Sequence, residues 1–156
     1  MSALVDQMRD GVRWITVEPQ DWASMHNELR SAGSTTLNYV TAVHNSGDEF
    51  IVVSHLTGST ECIVRTVITD ARIDSLTELF LIAGFHERET SQMFDITFDG
   101  LKDNSLAFEG VTQGALRKDF ALTDRMAVAW PGAVEPDANA RRRPSLPPGV
   151  FEAWQS

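Results

Sequence analysis

Acid and base stand side by side at Glu87, Arg88 and Glu89. On a helix turning about 100° per residue, Phe85, Glu89 and Met93 share a face, which puts Glu89 inside an apolar stripe. A buried, unpaired carboxylate is costly, so it must find a cation or raise its pKa. Arg88, Arg117, Lys118 and Arg125 are the candidate cations. The alternative is a solvated face carrying all three charges, and periodicity alone favours it. Gly84 can break the helix and shift its phase. Glu87 and Glu89 are a candidate pair for acid–base work, but residues two apart on a helix point to different sides.

Other catalytic constellations are thin. Gly110-Val111-Thr112-Gln113-Gly114 has loop spacing, with no Lys-Ser/Thr after it to complete a phosphate loop. No serine sits in a nucleophile elbow. Cys62 is the single cysteine, so an internal disulfide and a thiolate-held iron–sulfur centre are both excluded. It lies in an alternating run and reads as a small hydrophobe of a strand. His26, His44, His55 and His86 lack metal-ligand spacing and read as surface or strand-end residues.

Thirteen basic residues face twenty-two acidic ones, a formal charge of −9. A free nucleic-acid binder needs a basic face, and the only basic cluster is Arg141-Arg142-Arg143. The chain has 156 residues and 42% apolar content, enough for one globular domain with a core. Its longest apolar runs, such as Leu79 to Ala83, are too short to cross a bilayer. The stretch from Met1 to Asp6 has neither a basic n-region nor a long apolar h-region, which predicts a soluble or peripheral, cytoplasmic chain.

These residues need elements to position them. Residues 2–10 are expected to form a short helix, and Val12 to Val17 alternates as a strand. Pro19 suits a helix start. Trp22, Met25, His26 and Leu29 recur at helical spacing, and Gly33 stops that helix. Strands are expected over Thr36–His44, Glu49–Thr57 and Glu61–Thr69, with Asn45-Ser46-Gly47-Asp48 as a hairpin turn. Leu76 to Phe94 reads as helical, in two pieces around Gly84. After Ile96 the chain is loop-like. Five of the six prolines fall in residues 131–156, a composition suited to an extended tail docked on a partner. The fold class is α+β: two layers, with a mixed sheet containing an antiparallel meander packed on helices. The expected division is a domain over 1–125 and an extended tail over 126–156.

The run Glu87-Arg88-Glu89-Thr90-Ser91-Gln92-Met93-Phe94-Asp95-Ile96-Thr97-Phe98-Asp99-Gly100 resembles the C subunit of bacterial NADH:quinone oxidoreductase, respiratory complex I. That family carries a helix ending in Glu-Arg-Glu, then Phe-Gly-Ile-x-Phe-x-Gly, then a downstream Leu-Arg-Lys-Asp-aromatic-x-Leu. Here the second part is Leu116-Arg117-Lys118-Asp119-Phe120-Ala121-Leu122. The resemblance spans roughly Leu37 to Leu122, and the tail is similar to those of actinobacterial members. The chain departs from the family at Asp95, where Gly is usual. It also lacks the usual basic segment at Leu101 to Phe108, which weakens a basic strip toward the partner, and has Thr112-Gln113-Gly114-Ala115 where Gly-His-Pro or Gly-Tyr-Pro is usual.

The resemblance implies a non-catalytic peripheral-arm subunit, which scaffolds the quinone-site large subunit while electrons pass from NADH to quinone. It implies no cofactor in this chain; FMN, iron–sulfur clusters and quinone belong to partner subunits. It implies the large hydrogenase-like D subunit and the B subunit of the complex as partners, no nucleic acid, and contact with the membrane only through the complex, on the cytoplasmic side. Glu87, Arg88, Glu89, Arg117, Lys118 and Asp119 are then the expected structural ion pairs or interface contacts. The alternatives are the equivalent subunit of a membrane-bound nickel–iron hydrogenase or formate hydrogenlyase, a stand-alone binding module, and a small enzyme using Glu87 or Glu89.

Overall fold

The computed structural model describes residues 5–103, 107–108 and 111–121. The elements run β1 (Val5–Arg9), β2 (Val12–Thr16), a 3-10 turn (Pro19–Asp21), α1 (Trp22–Ser31), β3 (Thr36–Ser46), β4 (Glu49–Thr57), β5 (Cys62–Ile68), β6 (Arg72–Asp74), α2 (Ala83–Phe94) and β7 (Thr97–Asp99). The fold is α+β. A mixed five-stranded sheet has the order β1-β2-β5-β4-β3. Its β3-β4-β5 part is an antiparallel meander, and β2 joins β5 in parallel.

The buried sheet face follows from strict alternation. Val52, Ser54 and Leu56 of β4 and Cys62, Val64, Thr66 and Ile68 of β5 are all buried, because successive side chains point to opposite faces. Trp22, Met25 and Leu29 of α1 complete this core. At roughly 1.5–3 kcal/mol for each large apolar side chain, this layer is the main favourable term of the fold.

Three expectations are corrected. Residues 5–9 form a strand, not part of a helix: Asp10 and Gly11 have φ of 50° and 85° and close a two-residue hairpin onto β2. Asp-Gly is favoured where both turn residues need positive φ, and this local signal outweighs the weak helical reading. The segment from Leu76 to Phe94 is α-helical only from Ala83; before it, Phe80 N–H donates to Leu76 O and Ala83 N–H to Phe80 O in a string of turns. After Ile96 the chain is not simply loop, because β7 pairs in parallel with β6, Ile73 opposite Phe98. Three-residue strands carry too little pattern to announce themselves.

The expected domain boundary at 125, the Arg triplet and the proline-rich tail lie outside the described residues.

Candidate docking surface around the second helix

The helix α2 buries Ala83, Glu87, Thr90 and Phe94, residues at four-, three- and four-residue steps. This is not the face of Phe85, Glu89 and Met93. The fully buried carboxylate is therefore Glu87, while Glu89 is half-buried and Phe85 is 53% exposed. The same register runs upstream of the helix, where Leu76 and Phe80 are also buried. Glu87 is held by hydrogen bonds, not by a cation. Its Oε1 accepts the Leu76 N–H at 2.6 Å, and its Oε2 lies 2.6 Å from Ser75 Oγ. Ser75 Oγ in turn contacts Thr77 Oγ1 at 2.7 Å. Burial raises the pKa of Glu87, and the bonds from Ser75 and Leu76 oppose that rise. The carboxylate thus pins the turns before α2 to the helix itself.

Arg88 leaves the opposite side. Its Nε donates to Gly84 O at 3.2 Å, its Nη1 to Asp103 Oδ2 at 2.9 Å, and its guanidinium lies 5.9 Å from the Phe85 ring centroid. Beside it rises an apolar ridge. Leu81 is 93% exposed and Ile82 52%. Together with Phe85 and Leu101 they line a groove of about 640 Å³. Glu89 lines a second cleft, with Tyr39 and Thr41 of β3 and with Met93 and Leu116.

The far end of α2 holds the downstream motif. Gly114 N–H donates to Gln92 O at 2.7 Å and Leu116 N–H to Met93 O at 2.9 Å, satisfying carbonyls that a helix end leaves unpaired. Arg117 forms two bonds to Asp119, at 2.9 and 2.8 Å, and lies over the Phe50 ring at 5.4 Å. Arg117 holds the Asp119 carboxyl down to about 2. Lys118 gives its backbone N–H to His44 Nδ1 at 2.9 Å and its Nζ to Asn45 O at 3.1 Å. The six candidate residues thus fall into three groups: Glu87 at the helix head, Arg88 and Glu89 in two separate clefts, and Arg117, Lys118 and Asp119 beyond its tail.

Sequence reasoning missed Gln92 and misplaced His26. Gln92 is buried; its Nε2 donates to the carbonyls of Phe108 (2.7 Å) and Val111 (3.1 Å), and its Oε1 accepts the Phe108 N–H. Nothing in a lone Gln between Ser and Met announces this clasp. His26 and His44 are both buried; His26 lies within α1 rather than at the surface or a strand end, while His44 lies near the end of β3. His26 Nδ1–H donates to Trp22 O at 2.7 Å and its Nε2 accepts from Ser54 Oγ at 2.6 Å. Burial pushes that ring down to about 4 against the Trp22 bond. The helical spacing of His26 with Trp22 and Leu29 was the available signal.

Among the described residues no group of three or more His, Cys, Asp or Glu side chains could hold a metal ion, and no described helix is long and apolar enough to cross a membrane. The fold and surface define a class: an α+β module whose second helix is clasped at both ends and presents apolar clefts outward. The family model for the 30 Kd subunit of respiratory-chain NADH dehydrogenase matches residues 15–126. The chain belongs to this family, which is a subunit of an oxidoreductase complex.

Among solved structures, the trypsin-resistant fragment (1-134) of Nqo5 is similar at 22% identity and a TM-score of 0.56, over 64% of this chain and 88% of that one. A chain of the membrane-bound sulfane sulfur reductase, an archaeal respiratory membrane complex, is similar at 19% identity and a TM-score of 0.65, over 76% and 78%. At these identities the likeness is one of fold. No curated protein sequence matches the chain.

Proposed function

We propose that this chain is a non-catalytic, peripheral-arm subunit of an NADH:quinone oxidoreductase. It offers the large hydrogenase-like D subunit, beside the B subunit, a rigid surface to pack on. FMN, iron–sulfur clusters and quinone sit in partner subunits, and the chain meets the membrane only through the complex, on its cytoplasmic side. Membership of the 30 Kd subunit family supports this reading. The observation that carries the docking role is the ridge of Leu81, Ile82 and Phe85, which stands in solvent at the head of α2. Contiguous exposed apolar groups of this kind mark interaction sites.

The equivalent subunit of a membrane-bound nickel–iron hydrogenase or formate hydrogenlyase is the second reading. The fold likeness to a chain of another respiratory membrane complex favours it. One experiment tests both. The tagged chain is recovered from gently solubilised native membranes and its companions are identified by mass spectrometry. The D and B subunits together with an NADH-oxidising arm support complex I; a nickel–iron large subunit supports the second reading. Recovery of the chain alone, or a redox group bound to it, overturns the scaffold role. The double substitution Leu81→Asp, Phe85→Asp should leave the melting temperature of the purified chain near that of the parent and deplete the companions.

A further inference from the structure

Among the described residues, the five-stranded sheet has one covered face and one open one. His26 of α1 reaches Ser54 on the covered face. Alternation puts Arg65, Val67, Val53 and Val43 on the other. There Val43 is 49% exposed and Val67 40%.

Arg65 sits in the middle of this open face. Val53 is its register partner on β4 and Thr16 on β2, while Ile63 and Val67 flank it along β5. Its Nε donates to Thr16 Oγ1 at 3.0 Å. No carboxylate among the described residues pairs with it. Two acids of the neighbouring strands and turn are engaged elsewhere: Glu61 accepts from His55 Nε2 at 2.9 Å, and Glu49 accepts from Asn45. The face therefore holds a guanidinium with no carboxylate partner among the described residues, beside Val53, Ile63 and Val67.

We propose that this open sheet face docks a partner subunit whose contacting patch is apolar and presents one Asp or Glu carboxylate to Arg65. The inference rests on the reading that the chain works within an assembly. Covering the face with a purely apolar surface would strip water from an unpaired charge, which is strongly unfavourable. A carboxylate matches the planar fork with two parallel bonds and fixes the register of the partner. A second copy of this chain fits poorly. A two-fold dimer through this face sets like surface on like surface and so brings two guanidinium-bearing faces together.

The test places a photo-crosslinking residue at Val67 in the full-length chain, within the native assembly. The proposal expects cross-links to another subunit, at a peptide where an Asp or Glu lies among apolar residues. Arg65→Glu should lower recovery of that subunit on the order of tenfold or more, while the melting temperature of the purified chain shifts by less than about 2 °C. Changing the cross-linked carboxylate to Arg should restore recovery. If Arg65→Glu does not fold, Arg65→Gln replaces it with the same expectation in weaker form. A chain recovered with its companions but with an unreacted probe overturns this inference and leaves the proposed function standing, as do cross-links to a second copy or to lipid. A chain recovered alone overturns both.

Discussion

The Lys118 backbone N–H donates to His44 Nδ1 across 74 residues of sequence. His44 Nε2 lies 2.7 Å from Gly47 O. A carbonyl can only accept, so the proton is on Nε2 and Nδ1 is free to receive Lys118. One neutral imidazole thus closes the β3–β4 turn and moors the downstream motif to it.

Removing this imidazole should loosen the motif before it unfolds the sheet. His44→Ala is expected to cost about 1–3 kcal/mol, the range for leaving buried partners unmatched. Hydrogen exchange at the Lys118 amide should accelerate, while amides of β5 remain slow. Urea unfolding combined with exchange measured by mass spectrometry checks both parts. Equal acceleration across the sheet would show that His44 supports the core rather than the mooring.

Glu87 gives a prediction with a definite sign. Its pKa is raised in the folded state, so the native chain holds the proton more tightly than the unfolded chain. The stability this confers is present below the ordinary value of 4.5 and is lost as pH rises through the raised one. Glu87→Gln keeps an oxygen for Leu76 N–H, and its amide can donate to Ser75 Oγ. At pH 7 the Gln variant should be at least as stable as the parent, and its advantage should shrink on acidification. Glu87→Ala leaves Leu76 N–H unmatched and should cost about 1–3 kcal/mol. Denaturant titrations across pH 4 to 8 separate the two variants.

His26 acts on the acid limb with the opposite slope. Its ring titrates at about 4 in the fold against 6.5 in a free side chain. Between these values the unfolded chain takes up a proton that the native chain refuses, so stability falls as pH drops from 6.5 toward 4. The full loss is up to about 3 kcal/mol at roughly 1.36 kcal/mol per unit. His26→Gln should flatten this limb while lowering stability at neutral pH, where the native ring matches both Trp22 O and Ser54 Oγ. A parent whose stability does not change between pH 6.5 and 4.5 would contradict the assignment.

Asp95 ends α2 in the left-handed region, at φ 60° and ψ 40°. Glycine adopts that conformation without a Cβ penalty, whereas Asp tolerates it. The strain at Asp95 is partly offset by the bond its Oδ1 accepts from Gln113 Nε2 at 2.6 Å. Asp95→Gly should match the parent or exceed it by up to about 1 kcal/mol, and Asp95→Ala should fall below it by about 1 kcal/mol. Thermal melts of the three proteins give the ranking directly.

How much of this was legible can be argued from single residues. The meander announced itself because Phe50, Val52, Ser54 and Leu56 alternate with outward residues in a nine-residue strand, long enough for period two to dominate. The stop of α1 at Gly33 was readable for a similar reason, since a glycine with φ 103° follows the helical repeat. Glu87 was not readable as the buried acid. Its burial depends on which face of α2 the fold turns inward, and the stripe of Phe85, Glu89 and Met93 competes in the sequence with that of Ala83, Glu87, Thr90 and Phe94. Gln92 was hidden because its partners, Phe108 and Val111, lie in irregular chain with no period of their own. The downstream Leu-Arg-Lys-Asp run was visible as a motif, but its use as a mooring on His44 is a tertiary fact.

The parallel seam between β2 and β5 has a consequence for biosynthesis. Thr16 and Arg65 bridge it from positions 49 apart in the chain, so the inner edge of β2 stays bare until β5 has left the ribosome. At roughly 5–20 residues per second, the nascent polypeptide spends several seconds with Ile15 and Val17 uncovered. The β1–β2 hairpin shields only the other edge during that interval, and loop closure over such a span is slow relative to local pairing. Substitutions that speed the meander should therefore raise yield of intact protein in cells more than they raise its equilibrium stability.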